Sequence, residues 1–278
     1  MGNLWIGPPG ALYEIDRAAK SFERAADLGV TEFKALSGRI TLTRTAPPVR
    51  RVKLSWDMLE PQTARVLDRL ARRVDGGGNG VGPLVLIDPA AGNVLEPAQA
   101  TGRGPAGASG LAQWFRVSAT GAVTETTPGV FAFTAADATG QVAWRCVPWS
   151  GNFPAAAGLR VSFRAPTAFA ALGTVSVGID FKKADGTYLS STSTTGPYVT
   201  ATVPAGATHL TPTAKTGAAG AYSLAGACLT YGGDGAADDV PGDGLPKLAV
   251  TGYSDTPGRP LPYRNVGVDL VEVTGATG

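Results

Sequence analysis

The sequence predicts a mainly β protein: a β-rich domain carrying one principal helix, then a β-sandwich or jelly roll. Three observations point there. Glycine and proline are abundant, at 38 and 21 of 278 residues, which favours short strands joined by turns over long helices. Residue alternation of period two recurs along most of the chain. Helical spacing of apolar residues is convincing in one place only, after Pro61.

In chain order, Leu12-Tyr13-Glu14-Ile15 is a short strand and Arg39-Ile40-Thr41-Leu42-Thr43 a better one. Between them, Ala18 to Leu28 has weak helical character or is a long loop. In Arg51-Val52-Lys53-Leu54-Ser55-Trp56, the residues Val52, Leu54 and Trp56 share one face of a half-buried strand. Pro61 suits a first helical turn, where its missing N–H costs nothing. Ala64, Leu67, Leu70, Ala71 and Val74 then form an apolar stripe, with Arg65, Asp68, Arg69, Arg72 and Arg73 mostly elsewhere around the helix. Asp75-Gly76-Gly77-Gly78-Asn79-Gly80 ends it, and Leu84-Val85-Leu86-Ile87 is a buried strand closed by Asp88-Pro89.

Gly92 to Gly110 has no periodicity and reads as a linker or a long surface crossing. From Leu111 to Tyr231 short strands follow one another. Leu159-Arg160-Val161-Ser162-Phe163-Arg164 and Val175 to Phe181 alternate most cleanly, and Ala184-Asp185-Gly186 is a hairpin turn. This texture is that of a β-sandwich or jelly roll. After the acidic loop Gly232 to Asp243 come two more strands, Lys247 to Tyr253 and Asn265 to Val273. A terminal strand needs a sheet to pair with, and residues 1–92 look one or two strands short. The expected organisation is therefore a first domain at 1–92 completed by 245–278, a linker at 93–110 and an inserted jelly roll at 111–244.

The totals exclude several classes. Net charge is +2 with 17% charged residues, which leaves no nucleic-acid footprint. No apolar run reaches the roughly 20 residues that span a bilayer. The first residues lack the basic start and apolar core of a signal peptide, so a soluble product made in the cytoplasm is expected. Cys146 and Cys228 are too few for a disulfide framework or a zinc site. They are read as buried thiols, with a single bridge between them left open.

Signatures of catalysis are missing, and the expectation is no enzyme. His209 is the one histidine, no G-x-S-x-G elbow occurs, and His209 is read as structural or surface. Glycines 76–82 follow a helix instead of opening one, so they are not a phosphate cradle. Asp234, Asp238, Asp239 and Asp243 sit in a Gly-rich loop poorly suited to hold two carboxylates across a cleft. Sugar binding would use exposed rings stacking on apolar sugar faces. The candidates are Trp149, Tyr188 and Tyr198, with core packing as the competing reading; Trp114, Trp144 and Phe163 are read as core. Arg65, Arg69, Arg72 and Arg73 are candidates for a subunit interface, against a plain solvated helix face.

The order of elements also resembles a known family. Leu54-Ser55-Trp56, Leu59-Glu60-Pro61, Leu84 to Pro89 and Asn93-Val94-Leu95 resemble minor tail proteins of actinobacterial siphophages, of the distal tail type. Ile179-Asp180-Phe181, Asp185-Gly186-Thr187 and Thr202 to Ala207 are similar to the galactose-binding-like, carbohydrate-binding jelly rolls such proteins carry. Pro262 to Val266 with Glu272-Val273 resembles their closing segment. The resemblance implies a tail-tube-like β-sandwich flanked by one helix, assembled as a ring, usually a hexamer, between the tail tube protein and the tip or hub proteins. It also implies a virion protein, assembled in the host cytoplasm, whose jelly roll meets a host cell-surface glycan. No cofactor is implied beyond a structural calcium ion, which jelly rolls of this kind often carry and for which the four loop aspartates are the candidate ligands. The alternative is a free or accessory carbohydrate-binding protein.

Overall fold

Alternating apolar residues become sheet faces along nearly the whole chain. The computed structural model describes residues 3–44, 48–72, 83–171, 173–233 and 242–273. The glycine run that ends the helix, Arg73, Asp234, Asp238 and Asp239 lie outside the described residues. The chain opens with β1 (Leu4–Gly7), β2 (Tyr13–Ile15), β3 (Ser21–Asp27), β4 (Val30–Lys34), β5 (Ile40–Arg44), β6 (Val49–Leu59), α1 (Pro61–Arg72) and β7 (Val85–Ile87). Then follow α2 (Pro97–Thr101), α3 (Ala108–Leu111), β8 (Trp114–Arg116), β9 (Gly121–Thr127), β10 (Val130–Ala135), β11 (Gln141–Trp144), β12 (Phe153–Pro154), β13 (Arg160–Arg164) and α4 (Thr167–Ala171). The rest is β14 (Ser176–Lys182), β15 (Tyr188–Thr195), β16 (Tyr198–Thr202), β17 (His209–Lys215), β18 (Gly220–Ser223), β19 (Cys228–Tyr231), β20 (Leu248–Pro257) and β21 (Arg264–Glu272). The protein is mainly β.

One unit comprises residues 1–14 and 85–245. Its first layer is a six-stranded sheet ordered β15-β14-β17-β11-β8, with β12 also paired to β17, and its second holds two smaller sheets, β16-β13-β19 and β18-β10-β9. Aromatic side chains close the gap between the layers. The rings of Trp144 and Phe163 lie 4.9 Å apart and those of Trp114 and Phe131 5.3 Å apart, while Phe169 on α4 packs against Tyr222 at 5.0 Å. Such pairs add to the area they bury. Tyr222 and Tyr231 still need partners for their hydroxyls, and donate to the carbonyls of Ala218 and Pro154. This is a β-sandwich of jelly-roll type. Cys146 and Cys228 are buried in this unit and form no disulfide.

The expected boundaries need correction. Residues 93–110 are not a linker but part of this unit, because two buried amides tie them in. Asn93 donates to the Ala227 carbonyl and accepts from the Leu95 and Leu229 N–H groups. Gln99 donates to the carbonyls of Gln113 and Arg145 and accepts from the Glu96 N–H. Val94 and Leu95 enter the core beside them. Gly102 ends α2 at φ 66°, and a Cβ there would stand 2.8 Å from the Ala225 nitrogen, so both conformation and space require glycine. Residues 1–14 and 85–92 also belong here instead of to the first domain, since β1 pairs with β7 from Trp5↔Ile87 to Gly7↔Val85.

The second unit comprises residues 15–84 and 246–278. Its sheet is ordered β20-β21-β6-β3. Val52, Leu54 and Trp56 stand opposite Leu270, Val268 and Val266, and all six are buried. Helix α1 lays Thr63, Ala64, Leu67 and Leu70 inward and packs on β20 and β21. The segment 18–28, expected as weak helix or loop, is a strand: β3 pairs with β6 from Ser21↔Ser55 to Asp27↔Val49. Backbone pairing at a sheet edge decides this, as most of the side chains there remain exposed. Among the described residues, hairpin β4-β5 pairs only with itself, and every residue in its strands is exposed.

Asn93→Ala would leave one carbonyl and two N–H groups without their buried partner. The expected loss is roughly 2–4 kcal/mol of stability. It is measurable by denaturant unfolding followed through the tryptophans of the first unit, Trp5, Trp114, Trp144 and Trp149, with the Trp56 environment in the second unit unchanged.

Candidate functional site: the open face of the six-stranded sheet

Strand β14 alternates so that Val177, Ile179 and Phe181 enter the core, while Ser176, Gly178, Asp180 and Lys182 point the other way. Cross-strand register extends this outer face in rows. Lys182 stands between Tyr188 and His209, Asp180 between Ser191 and Thr211, and Gly178 between Ser193 and Thr213. Ser176 stands between Thr195 and Lys215, and Lys215 is in turn opposite Gln141. The Gly178 row continues through Ala143 to Phe115 on β8.

A shallow depression of about 200 Å³ lies at the centre, lined by Gln141, Ser176, Gly178, Asp180, Ser191, Ser193, Thr213 and Lys215. Gly178 forms its floor, where the neighbours leave no room for a side chain: a Cβ there would meet the Thr213 hydroxyl at 2.9 Å and Ser193 Cβ at 3.5 Å. The volume is below the ~300–1,000 Å³ of an engulfing ligand pocket. The depression instead presents hydroxyls, an amide, a carboxylate and an ammonium on a shallow surface.

The charges on the face are held at a cost. Burial raises the Asp180 pKa above its ordinary value, and attraction to Lys182 does not offset that. Burial likewise lowers the Lys182 pKa, against the opposing pull of Asp180 and with the repulsion of Arg145 added. Lys182 Nζ donates to Asn152 Oδ1 at 2.7 Å, and the Thr211 hydroxyl donates to the same oxygen at 3.0 Å. Burial also lowers the His209 pKa, so the ring is neutral at pH 7; its Nδ1 lies 2.9 Å from the Thr208 hydroxyl. At the far edge the Arg145 guanidinium lies over the Phe115 ring, 5.7 Å from its centre.

Of the three sugar-stacking candidates, one is on this face. Tyr188 is 61% exposed at its rim, and its hydroxyl donates to Ser191 Oγ at 3.0 Å. Tyr198 is on the other layer, in β16 opposite Arg164. Trp149 is corrected outright: it is buried in a 3-10 turn, Val147–Trp149, and its indole N–H donates to the Leu245 carbonyl at 2.8 Å. A ring so placed cannot stack on a ligand. Arg65, Arg69 and Arg72 lie along the exposed side of α1, in the second unit, where Arg72 pairs with Asp68 at 2.7 Å. Among the described residues no group of three or more His, Cys, Asp or Glu could hold a metal, and no helix is long and apolar enough to cross a membrane.

Sequence reasoning looked for aromatic rings and passed over the polar positions of β14. A signal was present: a glycine inside an otherwise strong strand marks close approach or open space, and Gly178 sits between Ser176 and Asp180 on the outward side.

No family model matches the chain, and no curated protein matches it. Among solved structures, the chain is similar to the enzymatically active domain of tailspike protein 4 from bacteriophage CBA120, at 11% identity and a TM-score of 0.33 over 50% of this chain and 21% of that one. It is also similar to an arabinose-bound α-L-arabinofuranosidase, MgGH51, at 14% identity and a TM-score of 0.31 over 55% of this chain and 28% of that one. A third is a carbohydrate-binding module of the β-sandwich superfamily, at 12% identity and a TM-score of 0.28 over 83% of this chain and 90% of that one. The chain spans well under a third of the first two proteins. The strand pairing above, and not these likenesses, defines the fold.

Because burial raises the Asp180 pKa, the folded state holds that proton more tightly than the unfolded chain. The ionised carboxylate therefore costs stability at neutral pH, and the cost fades as pH falls toward the ordinary value of 3.8. Asp180→Asn is expected to be at least as stable as the wild type at neutral pH, with its advantage shrinking in mild acid. Chemical unfolding at the two conditions measures this.

Proposed function

We propose that this is a structural virion protein of a long-tailed phage, of the distal tail type. The helix-bearing unit would build a ring between the tail tube protein and the tip or hub, and the β-sandwich would meet a host cell-surface glycan. The observation carrying the assembly half is the exposed stretch from β3 through β5. Leu28, Val30, Phe33, Leu36, Ile40 and Leu42 are each at least 41% exposed. An exposed apolar hairpin whose strands pair, among the described residues, only with each other is a liability for a lone protein and an asset in a repeating assembly. A heterologous contact of that kind closes into a ring when the rotation permits. The resemblance of roughly the first 95 residues to distal tail proteins supports the same reading and suggests a hexamer.

The adhesion half rests on the open sheet face. A floor of hydroxyls with one carboxylate and one ammonium matches the hydrogen-bonding needs of a polyhydroxylated ligand, and Tyr188 supplies a ring at the rim. Ring symmetry would multiply weak contacts through effective concentration. Catalysis is not part of the proposal: the depression holds one carboxylate, Asp180, whereas glycoside hydrolysis ordinarily uses two flanking the bond. A free carbohydrate-binding protein is the second reading, favoured by the face lying entirely within the first unit.

Light scattering should find the wild type as a closed oligomer and Phe33→Glu/Leu42→Lys as a monomer with its thermal midpoint within a few degrees. A wild type that stays monomeric at high concentration would remove the ring. Ser193→Leu, at an exposed position lining the depression, should abolish retention on a glycan array while preserving the fold by circular dichroism; unchanged retention would remove the face as the site.

A further inference from the structure

We infer that the open face is built for an acidic glycan lying along β14 and β17, with hydroxyls at the Asp180 end and an anionic substituent at Lys215. This rests on the reading of that face as a saccharide site.

Three cations, Lys182, Lys215 and Arg145, share the face with one carboxylate, Asp180. Between Gln141 and Lys215 the only other acidic residue is Asp185, in the β14–β15 turn. There Asp185 is already occupied by the N–H and hydroxyl of Thr187.

The three cations are not equivalent. Lys182 is spent on Asn152, and Arg145 covers Phe115. Lys215 is exposed at the end of β17 and lines the depression. The Asp137 carboxyl feels its charge as the weakest of several influences. Asp180, the one carboxylate lining the depression, stands two rows away, so the Lys215 ammonium is the docking point for an anion at its own end.

Asp180 can only accept hydrogen bonds when ionised, and a sugar offers hydroxyls. Asp180 and Lys215 are two rows apart in the register, because Lys215 stands opposite Ser176. Four residues along a strand span roughly 13 Å, longer than one sugar ring. Ser191, Ser193, Ser176, Thr213 and Gln141 line the path between them. The two poles fix direction as well as length: the neutral, hydroxyl-rich end lies at Asp180 and the charged group at Lys215.

The test is titration calorimetry on the full chain with three probes: tetragalacturonate, its carboxyl-reduced neutral form, and a glycerol-phosphate oligomer bearing sugars. Tetragalacturonate should bind about tenfold more tightly than the reduced form, and the preference should shrink as salt rises. Lys215→Met should erase the preference while keeping the weaker neutral affinity, and Asp180→Asn should weaken both ligands. Tighter binding of the phosphate probe than of tetragalacturonate would keep the anionic pole and assign it to a phosphodiester polymer. Equal binding of acidic and reduced forms would overturn the inference and leave a neutral saccharide site standing. No binding of any probe, with none on a broad array, would overturn the saccharide reading itself.

Discussion

The second unit depends on its last strand. β21 runs between β20 and β6, with Val266, Val268 and Leu270 opposite Trp56, Leu54 and Val52, so the sheet has no interior until the chain's end arrives. The intervening residues form a separate folded unit. The chain leaves the sheet at Leu84 and returns beside it, where Leu84 and Leu248 exchange two backbone hydrogen bonds, at 2.7 and 2.8 Å. An insertion whose ends meet is cheap, since loop-closure entropy grows only with the logarithm of length. That geometry lets a sheet carry a whole domain between two of its strands.

Within the sandwich, one strand expresses both of the chain's concerns. The inward side of β14 is Val177, Ile179 and Phe181, and the outward side is Ser176, Gly178, Asp180 and Lys182. The inward side stabilises by leaving water. The outward side works against stability, because Asp180 and Lys182 are both partly desolvated and their attraction does not offset the loss.

Local pattern was readable wherever packing and pattern agree. The Val52, Leu54, Trp56 face, the α1 stripe, the clean alternations of β13 and β14 and the Asp185-Gly186 turn all follow from period and turn chemistry. Pattern misled where pairing or burial was settled by distant partners. Ser21 to Asp27 has little apolar alternation and is a strand because β6 offers it an edge. Residues 93–110 have no period yet sit in the core, because Asn93 and Gln99 satisfy backbone groups far along the chain. Trp149 stood in a Pro-Trp-Ser-Gly sequence typical of exposed turns, and it is buried because Leu245 accepts its N–H from 96 residues away.

By itself, the sequence determined that the protein is mainly β, where most strands and the principal helix lie, and which side of each faces a core. These are consequences of local periodicity, legible without neighbours. Only the tertiary structure decided which strands pair, that the segment after Pro89 belongs to the sandwich, and that Gly178, Asp180, Thr213 and Lys215 share one open face. Such facts depend on register between strands distant in the chain, and a one-residue slip would turn every outward side chain inward.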